Sequence, residues 1–425
     1  MAPAEAPSDA PSEVPPPPPR GAGRSTDVEP GDGGRAWRML ALLSLAELLG
    51  MALWFSGSAA APELQARWAL SDAQVGGLST AVQLGFVLGT ALSAVFNLAD
   101  IVPARRLFAV AAACGAAANA GLLLAESYPL ALASRALAGA FLAGVYPPAM
   151  KMAATWFRAR RGVAVGTVVG ALTVGKASPY LWRLVPEASV ADVVLSTSGL
   201  ALLAALLVTF LWHDGPFAFP SRPFSWGLVG EVFGSRRWRL ATGGYLGHMA
   251  ELYSYWTWIP AFVAASALAS GGASEVARPW VGLLSFGTIA VGGLGCLWGG
   301  VVSDRIGRER LVIIAMAASG ACALAIGLLF GRSPWLLAPV ALAWGFFVIA
   351  DSAQFSVLVT ESVPAHAVGT ALTVQVSLGF LLTTLTIQAV PPVVARLGWE
   401  GAFAMLALGP VLGILAIRRL RHVPR

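Results

Sequence analysis

Charge is what this 425-residue sequence has least of. Only 12% of its residues are Asp, Glu, Lys or Arg, while 57% are hydrophobic; a soluble globular protein carries roughly a quarter charged residues. Such a chain cannot cover itself with a solvated surface, so lipid is the expected solvent for most of it. Lysine is nearly missing: of 28 basic residues two are lysine, Lys151 and Lys176. A net charge of +6 would ordinarily suggest a nucleic-acid footprint. Here the arginines stand in short clusters between apolar runs, which is a membrane-topology pattern and leaves no nucleic-acid partner. The three cysteines, Cys114, Cys296 and Cys322, lie far apart inside apolar runs. With no metal-ligand spacing, neither a metal nor another cofactor is expected, and the redox compartment cannot be read from them. No Gly-rich loop ending in Lys-Ser or Lys-Thr is present, so direct ATP drive is unsupported. Four histidines without ligand spacing, and no nucleophile–base constellation, argue against an enzyme.

What is abundant is apolar length. A helix needs about 20 apolar residues to cross the roughly 30 Å hydrocarbon core. That ruler gives twelve candidate spans: 36–57, 74–98, 107–125, 129–154, 162–183, 192–212, 240–265, 280–302, 311–330, 334–359, 367–390 and 401–417. The fifth and eleventh are rich in Gly and Thr. Ahead of them, residues 1–35 hold nine of the 28 prolines, Pro15 to Pro19 among them, and read as a disordered cytoplasmic tail. The tail has no apolar core and no basic start before Arg20, so it is not a signal peptide, and the first span is expected to stay uncleaved.

Arginine placement sets the orientation. Eighteen arginines fall on one side: Arg35, Arg38, Arg105, Arg106, Arg158, Arg160, Arg161, Arg222, Arg236, Arg237, Arg239, Arg305, Arg308, Arg310, Arg418, Arg419, Arg421 and Arg425. Five fall on the other: Arg67, Arg183, Arg278, Arg332 and Arg396. This bias predicts both termini in the cytoplasm of a multi-pass protein of the cell membrane, a bacterial inner membrane. The loop after the tenth span is the exception, with only His366 as a cation. The longest inner connection, 214–239, contains Pro216, Pro220 and Pro223 and then the amphipathic stretch Trp226 to Trp238. It reads as a linker, partly interfacial, between helical bundles at 36–213 and 240–418, with a basic tail at 419–425.

The two bundles repeat. Ala46-Glu47-Leu48 recurs as Ala250-Glu251-Leu252, Trp54 as Trp258 and Asp100 as Asp304, each 204 residues on. Val165-Gly166-Thr167 recurs as Val368-Gly369-Thr370 at 203. Agreement at four places within one residue predicts a duplicated six-helix unit. Parallel repeats of this kind place a solute site at the midplane between the halves.

After the eighth span the chain reads Gly299-Gly300-Val301-Val302-Ser303-Asp304-Arg305-Ile306-Gly307-Arg308-Glu309-Arg310. A carboxylate ends a helix, a tight turn follows at Gly307, and arginines flank it. Asp304 can pair with Arg305 or Arg308 or cap a helix end, and Gly300 would let a neighbouring helix come close. Such a charge latch would hold one end of the bundle closed. The first-half counterpart, Asn97 to Arg106, keeps Asp100, Arg105 and Arg106 but has Pro103 in place of the glycine. This stretch resembles the loop signature of the major facilitator superfamily, between its helices 2 and 3 and again between helices 8 and 9. The resemblance covers 36–418. It implies an all-α integral membrane fold of twelve helices in two pseudo-symmetric six-helix bundles, and alternating-access transport.

Within the superfamily, three stretches are similar to a bacterial branch of cyanate permease-like and nitrate/nitrite porter-like proteins. They are Trp54-Phe55 after Glu47, Gly247 to Tyr253, and Asp351-Ser352-Ala353-Gln354-Phe355. The porters' arginines in helices 2 and 8 have no equivalent here, which speaks against a nitrate site. The fifth span also lacks the Gly-Pro pair of drug–proton antiporters.

Polar residues inside the spans are the candidate site, because a charge in hydrocarbon costs at least about 2.5 kcal/mol and normally faces a bundle interior or cavity. Counting helix rise puts Glu47 about 14 Å and Glu251 about 16 Å from the inner face. Each either binds a proton or a cationic group, or fastens a neighbouring helix. His248 shares a face with Glu251 and suits proton coupling, or is fixed to a backbone carbonyl. Lys176 and Arg135 lie roughly 9 Å from the outer face. One is expected to pair with Glu47 and the other to contact an anionic substrate, which of them being left open. Arg135 also resembles the superfamily's helix 4 arginine, a residue tied to proton coupling. Tyr253, Tyr255, Trp256 and Trp258 form an aromatic cluster that begins near the midplane. Asp351 and Gln354 share a face, where polar helix packing competes with a site role.

The resulting expectation is a monomeric secondary transporter, proton-coupled, whose partners are a small-molecule substrate and membrane lipid. The favoured substrate is a small organic or inorganic anion. Proton-coupled efflux of a hydrophobic compound is the alternative within transport, and a non-transporting membrane sensor is the alternative of another class.

Overall fold

The computed structural model describes residues 33–157, 161–185, 188–217, 224–271 and 274–424, without the side chains of 99, 100, 161 and 274–278. The expected tail therefore lies almost wholly outside the described residues, as do Arg158, Arg160, Arg222, Pro220, Pro223 and Arg425. No strand occurs among the described residues. This is what a bilayer demands of a chain that cannot close into a barrel, since helices alone satisfy every backbone group internally.

Twelve helices cross in order: α1 Gly33–Met51, α2 Asp72–Val95, α3 Ala104–Leu124, α4 Tyr128–Ala154, α5 Arg161–Ala177, α6 Val190–Leu211, α7 Arg236–Ala269, α8 Pro279–Ile306, α9 Arg308–Leu329, α10 Pro334–Thr360, α11 Val368–Ala402 and α12 Leu408–Leu420. By length and composition alone, eight stretches are long and apolar enough to span, the last running through both α11 and α12. The helices that fall short are α1, α5 and α7. They are the ones carrying Glu47, Lys176 and the pair His248 and Glu251.

Local chemistry explains the boundaries. Ser71 and Gln74 form a reciprocal cap at the start of α2, and Ser189 with Asp192 does the same for α6. Ser235 caps α7, which begins four residues earlier than apolarity alone predicts. Gly307 turns the chain between α8 and α9 at φ +89°, a conformation open to glycine and costly for other residues. The eleventh span was expected to stop before Pro391-Pro392. It runs through both to a kink at Gly398, because neighbouring helices satisfy the backbone groups that proline frees. The first span was expected to reach 57 but its helix stops at Met51, and a short helix, Ser56–Ala59, resumes after a turn.

Leucines such as Leu88, Leu124 and Leu385 stand exposed along the outer helix faces, while Trp54, Trp212, Trp238, Trp256 and Trp344 are fully buried. An exposed apolar surface of this extent fits a lipid-facing wall. The halves meet along two seams. In one, α5 and α8 touch backbone to backbone at Gly170 and Gly293. In the other, α2 and α11 pack through Phe86 and Phe380, with ring centroids 4.6 Å apart. Beside that contact the Gln388 amide meets Thr80 Oγ1 at 3.0 Å.

Candidate solute and coupling site

The site begins with the break in α1. Ending the helix at Met51 leaves the Leu53 and Trp54 carbonyls without ladder partners, a costly state in a dry interior. Arg135, fully buried on α4, donates to both, at 2.7 and 2.8 Å. It also donates to Ser56 Oγ at 3.0 Å and to Asn119 Oδ1. The Asn119 amide in turn donates to the Val194 carbonyl, Thr197 and Ser198 on α6 at 2.9–3.2 Å. One guanidinium thus ties α1, α3, α4 and α6 together. Arg135 does not stand with Lys176 as a second solute-facing cation. The structure spends its fork on the backbone of α1.

That clamp fixes Trp54. On the facing helix, a side chain at Gly175 would collide with the Leu48 carbonyl, so its absence lets α5 lie against α1 and brings Lys176 to the Trp54 ring. The Lys176 ammonium sits 3.7 Å from the Trp54 ring centroid, 4.8 Å from that of Tyr253 and 5.3 Å from that of Trp256. It donates to the Tyr253 hydroxyl at 2.7 Å. Cation–ring attraction is worth about 2 kcal/mol or more when water is excluded, and Lys176 is 2% exposed. Two of the three ring walls come from α7, so the cage closes across the two halves. Phe55 packs against Tyr180 and Trp256 on the arginine-poor side of the cage, with centroids 6.2 and 6.3 Å apart.

Glu47 is fully buried, and neither carboxyl oxygen has a hydrogen-bond partner among the described residues. It interacts electrostatically with Lys176 but forms no hydrogen bond with Lys176 or Arg135. The expected pairing of Glu47 with a cation therefore reduces to proximity.

In the second half the buried glutamate and histidine are partnered. Glu251 accepts from Trp344 Nε1 at 2.8 Å and from Ser319 Oγ at 2.9 Å, joining α7 to α10 and α9. His248 Nδ1 lies 2.9 Å from Asp351 Oδ1, both nearly fully buried, and Asp351 sits where α10 breaks between Ala350 and Ser352. Gln354 is buried one turn further along α10. Tyr255 donates to the Ala341 carbonyl at 2.7 Å and Trp258 to that of Ile387 at 2.9 Å. Both of these are tied to backbone, away from the Lys176 ammonium.

The latch residues are arranged differently from expectation. Arg308 pairs with Glu361 at the end of α10, at 2.7 Å. Asp304 is exposed and makes no ion pair among the described residues. Gly300 faces open space, and the close approach to α10 is made one residue earlier, where a side chain at Gly299 would collide with the Ala350 carbonyl. Helical rotation of about 100° per residue puts only one of two adjacent glycines on the packing face. Arg305 lies exposed beside the turn. In the first half, Arg105 donates to the Trp212 carbonyl at 3.4 Å, Arg106 is exposed, and the Asp100 side chain lies outside the described residues.

Sequence reasoning missed Asn119 and Glu361. Asn119 could have been found, being one of only two asparagines in the chain and the one away from the end of its apolar span. Glu361 gave no signal, because its partner is 53 residues away.

A helical membrane protein whose two halves share one buried, charged centre is built to move a solute between faces. The sequence profile of the Major Facilitator Superfamily matches residues 42–387, and the chain belongs to that family. It is therefore a multi-pass transporter of small molecules with the family's twelve-helix fold, and not an enzyme. Among characterised relatives it is similar to the hexuronate transporters of Escherichia coli strains K12 and O157:H7. Each is 23% identical over 423 residues, covering 90% of this chain and 93% of the relative.

Proposed function

We propose that the protein takes up a small organic anion together with a proton, with Lys176 as the anion's contact and Glu47 as the proton's. The observation that carries this reading is the Lys176 cage: a buried ammonium held by a hydroxyl and three ring faces across the two halves, with a partnerless carboxyl group nearby. An ionised Glu47 there needs a counter-charge, and Lys176 is the cation within reach. A solute carboxylate that claims the ammonium removes that counter-charge, and Glu47 then takes a proton. One anion and one proton would cross together, keeping the charge of the dry centre constant.

The hexuronate-transporting relatives support a sugar acid as the solute. Efflux of a hydrophobic compound fits less well, because the aromatic faces that would receive it are turned to Lys176. The arginine bias supports both termini in the cytoplasm of a bacterial inner membrane. The repeat register supports bundles at 36–213 and 240–418 joined by 214–239, acting as a monomer. His248, Glu251, Asp351 and Gln354 would brace the second half during the exchange of faces, and Arg308 with Glu361 would hold its arginine-rich end.

The test is uptake of labelled glucuronate into proteoliposomes with and without an inward proton gradient. Accumulation should follow the gradient and vanish when it is collapsed. Transport of a lipophilic cation with no movement of any organic anion would overturn the reading.

A further inference from the structure

Two adjoining cavities open between the halves at the arginine-poor end, of about 400 and 230 Å³. They share Pro62, Arg183 and Ala264 as wall, so they form one funnel. Its floor is Tyr180, which together with Phe55 and Trp256 separates it from the Lys176 cage.

The smaller cavity is built unlike a passive vestibule. Arg183 lines it, with its guanidinium 5.8 Å above the Tyr180 ring. Thr257 of α7, 9% exposed, also lines it, and its hydroxyl has no hydrogen-bond partner among the described residues. Ser58 and Ser79 complete the polar wall, their hydroxyls 2.7 Å apart, and the Trp258 ring supplies a flat apolar side. A buried hydroxyl without a partner is uncommon and calls for a ligand or water. One cation, several hydroxyls and an indole face are the groups that recognise a carboxylate carrying hydroxyls along its chain or ring.

We infer that this funnel is a second binding station for a hydroxylated carboxylate, with Arg183 taking the carboxylate and Thr257, Ser58 and Ser79 the hydroxyls. Arg183 and Lys176 are seven residues apart on one helical segment, about 10–14 Å by helical rise, and both line the seam between the halves. The solute would be held first at Arg183 and pass to Lys176 when the Phe55–Tyr180–Trp256 layer parts. Glu63, in the larger cavity, is engaged at the α6 N-terminus, where it accepts the Val190 N–H at 2.8 Å. It would repel an anion there and favour the smaller cavity.

The proposal rests on the anion reading above for the inner station at Lys176 and for the order of the two stations. Its test is equilibrium binding of labelled glucuronate to the purified full-length protein in nanodiscs. Wild type should bind two molecules per chain and Lys176→Met one. In the Lys176→Met background, Arg183→Gln should weaken the remaining binding at least ~10-fold and Thr257→Val several-fold, while Arg183→Lys retains most of it. Glucose should not compete. Arg183→Lys and Thr257→Val keep the test decisive should Arg183→Gln misfold. Loss of all saturable binding in Lys176→Met, no saturable binding in wild type, or unchanged affinity in Arg183→Gln and Thr257→Val would overturn the second station. Sustained transport by Lys176→Met would instead overturn the central reading and leave the outer station standing.

Discussion

Glu47 and Glu251 are related by a 204-residue offset, as are Trp54 and Trp258, yet in neither of these two pairs do the equivalents make the same contacts. α1 breaks after Met51, and its glutamate has no hydrogen-bond partner. α7 runs unbroken for 34 residues, and its glutamate holds two bonds. Trp54 lends its ring face to Lys176, whereas Trp258 ties its indole N–H to the Ile387 carbonyl. Arg135, which clamps the α1 break, corresponds by the same offset to Pro339, which offers no donor. Duplication supplied the scaffold twice. The first half holds its buried glutamate without a hydrogen-bond partner beside the Arg135 clamp, and the second holds its glutamate by two bonds, with α7 contributing two of the three aromatic walls.

The comparison can be broken most directly at its charged centre. Lys176→Met should lower glucuronate uptake by about 100-fold, in line with the 2–5 kcal/mol lost when a buried charged contact is truncated. Initial rates in proteoliposomes give this number, and wild-type rates would remove the anion site from the first half. Next comes the clamp. Arg135→Met leaves the Trp54 carbonyl without a donor, and leaves the Leu53 carbonyl and Asn119 Oδ1 to share the single Ser56 hydroxyl, at about 1–3 kcal/mol for each group left unserved, so its thermal midpoint should fall more than that of Tyr255→Phe, which gives up one carbonyl contact worth about 1 kcal/mol. Equal shifts would mean the two halves are braced alike.

The sharpest contrast is between the equivalent glutamates. Glu47→Gln should abolish gradient-driven accumulation while preserving counterflow exchange. Glu251→Gln should keep gradient-driven accumulation and lose roughly 1 kcal/mol of stability through its weakened bonds to Trp344 and Ser319. The opposite pattern would exchange the roles assigned to the halves. The smallest effect belongs to Arg308→Gln. Its pair with Glu361 is partly exposed and worth about 0–1 kcal/mol, so the midpoint should barely move. Cysteine accessibility at the α8–α9 turn should still rise if the pair restrains that end.

The helical membrane fold was legible because apolar length is a local signal. Lys176, Glu47, His248 and Glu251 stood out for the same reason, each a charged or titratable group in an apolar run. Their partners were not legible. Nothing between Ala52 and Phe55 is a proline or glycine, so the break in α1 carries no sequence mark, and without it Arg135 looks like a solute contact. The pairing of Arg308 with Glu361 instead of Asp304 depends on how closely α8 and α10 pack at Gly299, a property of two helices together. Proline misled in the other direction, since Pro391-Pro392 ends a helix in water far more readily than among packed membrane helices.

The Arg135 clamp also bears on how the chain is made. Arg135 lies 81 residues after the Trp54 carbonyl it satisfies, so α1 leaves the ribosome with a break at which only the Leu53 carbonyl has a local donor, the Ser56 hydroxyl. Until α4 emerges, that turn is expected to stay in the insertion machinery or at the membrane surface, where water can serve the open carbonyls. Nascent chains ending before Arg135 should accordingly keep residues 52–55 open to water-soluble thiol reagents at engineered cysteines, and chains extending past α4 should close them. The first membrane helix to be synthesised would then be among the last in its half to settle.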